Sequence, residues 1–164
     1  MKKVGIIMGS DSDLPIVKKT VDTLRSLDIP YETHIYSAHR TPEEAAGFAK
    51  NAKKNGFAVI IAAAGMAAHL AGAIAANTTL PVIGIPCKGP VLDGMDALLS
   101  TVQMPSGIPV AAVAINGGVN AALLAAEIIA IGEPELGAKL DAKREEARRS
   151  VLEKDASVEA RLNE

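Results

Sequence analysis

Tryptophan is absent, and phenylalanine and tyrosine occur twice each, so aromatic residues make up only 2% of the 164. Although 49% of the chain is hydrophobic, its core has to be built from Ala, Val, Ile and Leu, and it has no aromatic platform on which bases could stack. A basic field is missing as well. The formal net charge of −2 at pH 7 gives no means of neutralising a phosphate backbone, which excludes polymeric nucleic acid as a partner. The single cysteine, Cys87, cannot close an internal disulfide and has no companion thiol at metal spacing. That usage points to a reducing compartment, and the cytoplasm is the expected location.

Long hydrophobic segments are also in short supply. Behind Met1, Lys2 and Lys3 the apolar run stops at Gly9 and Asp11, too early for the h-region of a signal peptide. Residues 57–76 are apolar or glycine apart from His69, and their length would suffice for a bilayer span. They are mostly alanine, however, and divide at Gly65 into a β-branched strand around Val59, Ile60 and Ile61 and an Ala-rich helix, as buried α/β elements do. No membrane segment is expected.

Short apolar runs recur at residues 4–8, 31–36, 58–63, 82–85 and 110–115, and each reads as a strand. Between them lie stretches of helical spacing at 14–27, 42–55, 67–77, 93–103 and 119–131. Pro15 falls in a first helical turn, and Thr41, Pro42, Glu43 and Glu44 supply a cap, an N1 proline and acids at the positive end of another helix. Alternation of this kind predicts a three-layer, flavodoxin-like α/β fold with a five-stranded parallel sheet in the order 2-1-3-4-5. One catalytic domain over residues 1–132 is expected, followed by a helical extension over 133–164 whose Leu136, Leu140, Ala147, Val151 and Leu152 form a narrow apolar stripe. The stripe suits either this domain or a neighbouring subunit. The many small-residue helix faces point to burial between subunits, hence a homo-oligomer.

Ligands of such sheets bind outside the carboxyl ends of the strands, where the loops at residues 9–13, 37–41, 64–69 and 86–93 must converge. In the first loop Gly9 allows close backbone approach, and Ser10 with the following amides at a helix N-terminus favours an anion such as phosphate. Asp11 and Asp13 would repel that anion, so at least one of them better serves as an acceptor for sugar hydroxyls. Phosphate plus polyol describes a ribotide, although Ser and Asp are also ordinary capping residues. In the second loop Arg40 offers a charged fork suited to phosphate, Ser37 and Thr41 add hydroxyls, and His39 can both give and take a proton near neutrality. His69, in a loop that begins at Gly65, could meet a ligand from the far side or bond within an Ala-rich interface; His34 falls inside a strand and reads as structural. Three scattered histidines and an isolated Asp11/Asp13 pair make no metal cluster, so no metal is expected. Phosphate-loop and GxGxxG elements are missing too, which leaves ATP and dinucleotides without support. Cys87 has no evident low-pKa setting for a nucleophile.

Residues 8–13, 37–42, 64–72, 92–99 and 102–105 together resemble, in order and in register with the α/β pattern, the 5-(carboxyamino)imidazole ribonucleotide mutase family of purine biosynthesis. The resemblance implies a cofactor-free homo-octamer that moves a carboxylate from the exocyclic nitrogen of an aminoimidazole ribotide to ring carbon C4. It further implies that Ser10 and Asp13, with Ser37 and Arg40, hold the ribose phosphate portion and that His39 is the acid/base residue. Arg40 and Pro42, with His69 downstream, look like the mutase branch rather than the related carboxylase branch, while Lys88 and Gly89 stand where relatives have small polar residues. Loops 65–69 and 104–107 are the expected lid. A carboxylase using free carbon dioxide and a non-catalytic ribotide sensor are the rival expectations.

Overall fold

The computed structural model describes residues 2–162. Its apolar runs form β1 (Lys3–Met8), β2 (Tyr31–Ile35), β3 (Phe57–Gly65), β4 (Val82–Cys87) and β5 (Ala111–Ala112), all parallel, in the order β2-β1-β3-β4-β5. Between and after them lie α1 (Leu14–Ser26), entered through a 3-10 turn at Asp11–Asp13, then α2 (Pro42–Ala52), α3 (Leu70–Ala75), α4 (Met95–Val102), α5 (Gly118–Ala130) and α6 (Pro134–Leu162). The flavodoxin-like α/β architecture and its strand order are those the sequence pattern predicts.

Period-two alternation assigns the strand side chains to two cores. Val4, Ile6 and Met8 join Val59 and Ile61 in a core covered by Val17 and Leu24 of α1 and by four buried alanines of α5, Ala121, Ala122, Ala125 and Ala126. Ile7, Ile60 and Ala62 face the opposite way, toward Ala45, Ala49 and Ala52 of α2 and Leu70 and Ile74 of α3. Burial on both faces is what a parallel sheet requires of its central strands. Small residues bring the helices close: a Cβ on Gly118 would lie 2.5 Å from the Ile16 carbonyl oxygen, and beside it the fully buried Thr20 hydroxyl donates to the Gly118 carbonyl at 3.0 Å.

Several boundaries differ from those expected, each for a local reason. The fifth strand pairs only at Ala111 and Ala112, because the backbone leaves the extended region at Ala114 (φ 92°) and turns again at Asn116 (φ 56°). α3 starts at Leu70 rather than 67, since Met66 (φ 54°) opens a tight turn in which Ala68 N–H donates to the Met66 carbonyl and His69 N–H to that of Ala67. α4 starts at Met95 rather than 93 because Asp93 (φ 57°) and Gly94 (φ 93°) are left-handed. α2 gives way after Ala52 to a hydrogen-bonded turn that ends at Gly56 (φ 82°). Conversely, β3 and β4 run on to pair Gly65 with Cys87, carrying the sheet right up to the loops at its carboxyl edge.

α6 is one helix, but of its expected stripe only Leu136 and Leu140 are buried on this chain. Ion pairs Lys139–Asp28 and Arg144–Glu127, both 2.6 Å, fasten the same first turns. Ala147, Val151 and Leu152 are exposed, since the helix continues past the edge of the core. Among the described residues no helix is long and apolar enough to cross a membrane.

Candidate active site

The sheet order reverses at β1, which pairs with β2 on one side and β3 on the other, so the loops leaving these strands part and open a crevice. The cavity there has a volume of about 570 Å³. Gly9, Ser10 and Asp13 reach it from the loop after β1, Ser37, His39 and Arg40 from the loop after β2, and Gly65 and His69 from the loop after β3. All eight residues selected from the sequence thus line one cavity.

Local hydrogen bonding shapes each loop. Gly9 N–H donates to the Ala63 carbonyl at 3.0 Å, and extended Ser10 caps the 3-10 turn by accepting from Ser12 N–H at 3.3 Å. In the second loop the Ser37 hydroxyl accepts from the amides of His39 and Arg40, at 3.3 and 3.1 Å, and its own proton remains able to donate to a ligand. Thr41 holds the cap position of α2 but makes no side-chain cap bond, contrary to expectation. Its hydroxyl is occupied inside the turn, accepting from Ser37 N–H at 2.8 Å and donating to the Ser37 carbonyl at 3.3 Å. Arg40 joins the two loops, with Nη2 donating to the Gly9 carbonyl at 3.0 Å. That bond sets the guanidinium beside Ser10 and Ser37. The rings of His39 and His69 meet edge to face, centroids 5.4 Å apart, so two proton carriers from different loops flank the same space.

The floor is more apolar. Asp13 is 7% exposed, and burial pushes its carboxyl above the ordinary 3.8, against the pull of hydrogen bonds from the Cys87 thiol and the Ser10 backbone. Burial, then the Asp13 charge, pushes the Cys87 thiol up to about 12, so it stays protonated at neutral pH and is no nucleophile. Among the described residues no group of three or more His, Cys, Asp or Glu could hold a metal ion.

Residues 104–107 do not line this cavity. Met104 packs on Gly72 and, with Pro105, walls a separate hollow of about 380 Å³ that shares only Ala67 and His69 with the crevice. His34 keeps away from the site, stacking on Tyr36 with centroids 4.9 Å apart and bonding Glu32 at 2.8 Å. Cys87, Lys88, Gly89 and Pro90 line the crevice and were not singled out as site residues. Their signal was positional: residues 86–93 leave a strand at the binding edge, and Lys88 is the cation in that stretch.

In doubly wound α/β proteins small ligands bind in the crevice at the switch point, and here that crevice is lined by two imidazoles, a guanidinium and hydroxyls. The AIR carboxylase family model matches residues 3–150, and the chain belongs to that family. An N5-carboxyaminoimidazole ribonucleotide mutase of Thermotoga maritima is 53% identical over 159 residues, covering 97% of this chain and 93% of the relative. A phosphoribosylaminoimidazole carboxylase of Ogataea methanolica is 57% identical over 131 residues, covering 80% of this chain but 24% of that much longer protein. A crystal structure of Treponema denticola PurE superposes with a TM-score of 0.84 at 30% identity, covering 94% of this chain and 96% of that one.

Proposed function

We propose that the crevice binds an aminoimidazole ribotide and that the chain is an isomerase of purine biosynthesis, an N5-carboxyaminoimidazole ribonucleotide mutase. One observation carries the assignment of roles: His39 and Arg40, neighbours in sequence, face a single cavity with Ser10, Asp13, Ser37 and His69 on a chain that aligns almost end to end with a protein of that name. Arg40, Ser10 and the Ser37 proton hold the phosphate, Gly9 lets the backbone come near it, and a carboxyl oxygen of Asp13 accepts from ribose hydroxyls. The heterocycle then lies toward His39, with Gly65 and His69 across from it.

Protonated His39 gives its proton to the exocyclic nitrogen as the N–C bond of the carbamate breaks and carbon dioxide departs. Ring carbon C4 attacks the carbon dioxide, forming the new C–C bond, and neutral His39 removes the C4 proton. The imidazole ends as it began and no proton is consumed overall. Recapture depends on keeping carbon dioxide beside C4, a task of positioning and of excluding water that falls to the loop at 65–69, whose Gly65, Met66, Ala67 and His69 line the cavity.

His39→Asn preserves a hydrogen-bonding side chain but cannot shuttle a proton, and it should abolish interconversion of the two carboxylated ribotides. Near wild-type turnover would remove His39 from the mechanism. The carboxylase reading has the yeast relative behind it. It requires that turnover depend on added carbon dioxide and the uncarboxylated ribotide, whereas the mutase works on the carbamate alone. The chain is further proposed to act as a cytoplasmic homo-octamer. The exposed Leu92, Met95, Leu99 and Val102 around α4, and Val151, Leu152 and Val158 on α6, supply apolar surface for subunit contacts.

A further inference from the structure

We propose that Lys88 is the residue by which this crevice distinguishes carboxylated from uncarboxylated ribotides, its ammonium leaving Asp93 to pair with the ligand's carboxylate. The inference rests on the ribotide reading above and extends it to the second anionic group of the ligand. Phosphate and carboxylate stand at opposite ends of such a molecule. Apart from the two histidines, the cations among the residues lining the crevice are Arg40 and Lys88. Arg40 is committed to the phosphate end by its bond to the Gly9 carbonyl. Lys88 enters from the loop after β4, which is separated from the Arg40 loop by the β1 and β3 strand ends. Three strand spacings of about 4.8 Å set the two loops on the order of 14 Å apart. An anion at each end of one ligand is what this spacing suits.

The loop that carries Lys88 is built rather than loose. Its backbone N–H donates to Asn116 Oδ1 at 2.8 Å, and Asn116 N–H in turn donates to the Pro86 carbonyl at 2.9 Å. The left-handed pair Asp93 (φ 57°) and Gly94 (φ 93°) turns the chain back so that Asp93 Oδ1 meets Lys88 Nζ at 2.6 Å. A Cβ at Gly94 would stand 2.8 Å from Ile115 Cγ2 and 3.2 Å from Lys88 Cα, so the reversal needs glycine there. The ion pair itself is wet, its side chains 56% and 77% exposed. Water already screens such a pair, so giving it up to meet a ligand carboxylate costs little. Once that carboxylate leaves as neutral carbon dioxide nothing retains the ammonium, which returns to Asp93. Lys88 therefore acts on binding and selection rather than on bond breaking.

The test compares two ligands by isothermal titration calorimetry: 4-carboxy-5-aminoimidazole ribotide and 5-aminoimidazole ribotide, which lacks the carboxylate. In Lys88→Met the dissociation constant of the carboxylated ligand should rise about tenfold, as for one partly solvated charge-assisted hydrogen bond, while that of the other stays within about twofold. Lys88→Arg should keep the preference, and Asp93→Asn, which frees the ammonium, should tighten the carboxylated ligand a few-fold without affecting the other. Equal weakening of both ligands by Lys88→Met, or no change in either, overturns the assignment. If the wild-type protein binds neither ribotide, the ribotide reading itself fails. If it binds both and Lys88→Met keeps the wild-type ratio, only the role of Lys88 fails.

Discussion

Replacing Arg40 by alanine removes the guanidinium assigned to the phosphate. In the free protein Nη2 makes one 3.0 Å bond to the Gly9 carbonyl at an exposed edge, so its loss should change folding stability by about 1 kcal/mol or less. Binding should suffer far more. A planar fork on a phosphate forms two charge-assisted hydrogen bonds, each worth about 1.5–3 kcal/mol when well shielded. Arg40 is exposed, which reduces the pair to roughly 2–3 kcal/mol and predicts a 30- to 150-fold rise in the dissociation constant of 5-aminoimidazole ribotide. Arg40→Lys keeps the charge without the fork and should fall between, near tenfold. Calorimetric titration with the ribotide and with its dephosphorylated riboside separates phosphate recognition from general damage, because the riboside should bind wild type and variant alike. An unchanged ribotide constant, or an equal loss for the riboside, would refute the phosphate role.

Asp13→Asn should weaken ribotide binding yet raise Tm at pH 7, because burial raises the native pKa of Asp13 above 3.8 and its ionised form opposes folding. That destabilisation is absent below 3.8, grows as pH climbs from 3.8 to the raised native value, and is constant above it; a variant Tm advantage that persists undiminished at pH 3 would contradict the cause given. Cys87, buried and with its thiol pushed to about 12, should resist iodoacetamide at pH 8 in the native protein and react fully in guanidinium chloride; rapid native alkylation would place the thiolate elsewhere than the cavity floor. Leu136→Ala should cost about 2–5 kcal/mol by denaturant titration, whereas Leu123, only partly buried against the same core, should cost less when truncated; the reverse order would displace the first turn of α6 from the core.

Elements with chemically marked starts were legible to within a residue: Pro15 and Pro42 announced α1 and α2, and the unbroken apolar run of Val4 to Met8 announced a strand buried on both faces. The misplaced boundaries share a cause that composition conceals. Met66, Asp93, Ala114 and Asn116 adopt left-handed backbone without being glycine, which hydrophobic spacing does not mark. Topology did more for the site than any motif, because the strand order brings Ser10, Arg40, Gly65 and His69 together across some sixty residues of chain as soon as the loops are ranked by strand. Lys88 escaped because its loop was recognised only as a loop; the turn that fixes its ammonium depends on Asp93, Gly94 and Asn116, which are distant in pattern though close in space. Thr41 was misassigned for a related reason. Its hydroxyl had a nearer partner in Ser37 than the helix amides it was expected to cap.

The decisive measurement is a crystal structure with 4-carboxy-5-aminoimidazole ribotide bound. The phosphate should lie among Ser10, Ser37 and Arg40, with the exocyclic nitrogen and C4 both within reach of the His39 ring. A ligand whose heterocycle lies remote from His39, for instance in the hollow beside Met104, would contradict the proton transfers assigned to that imidazole.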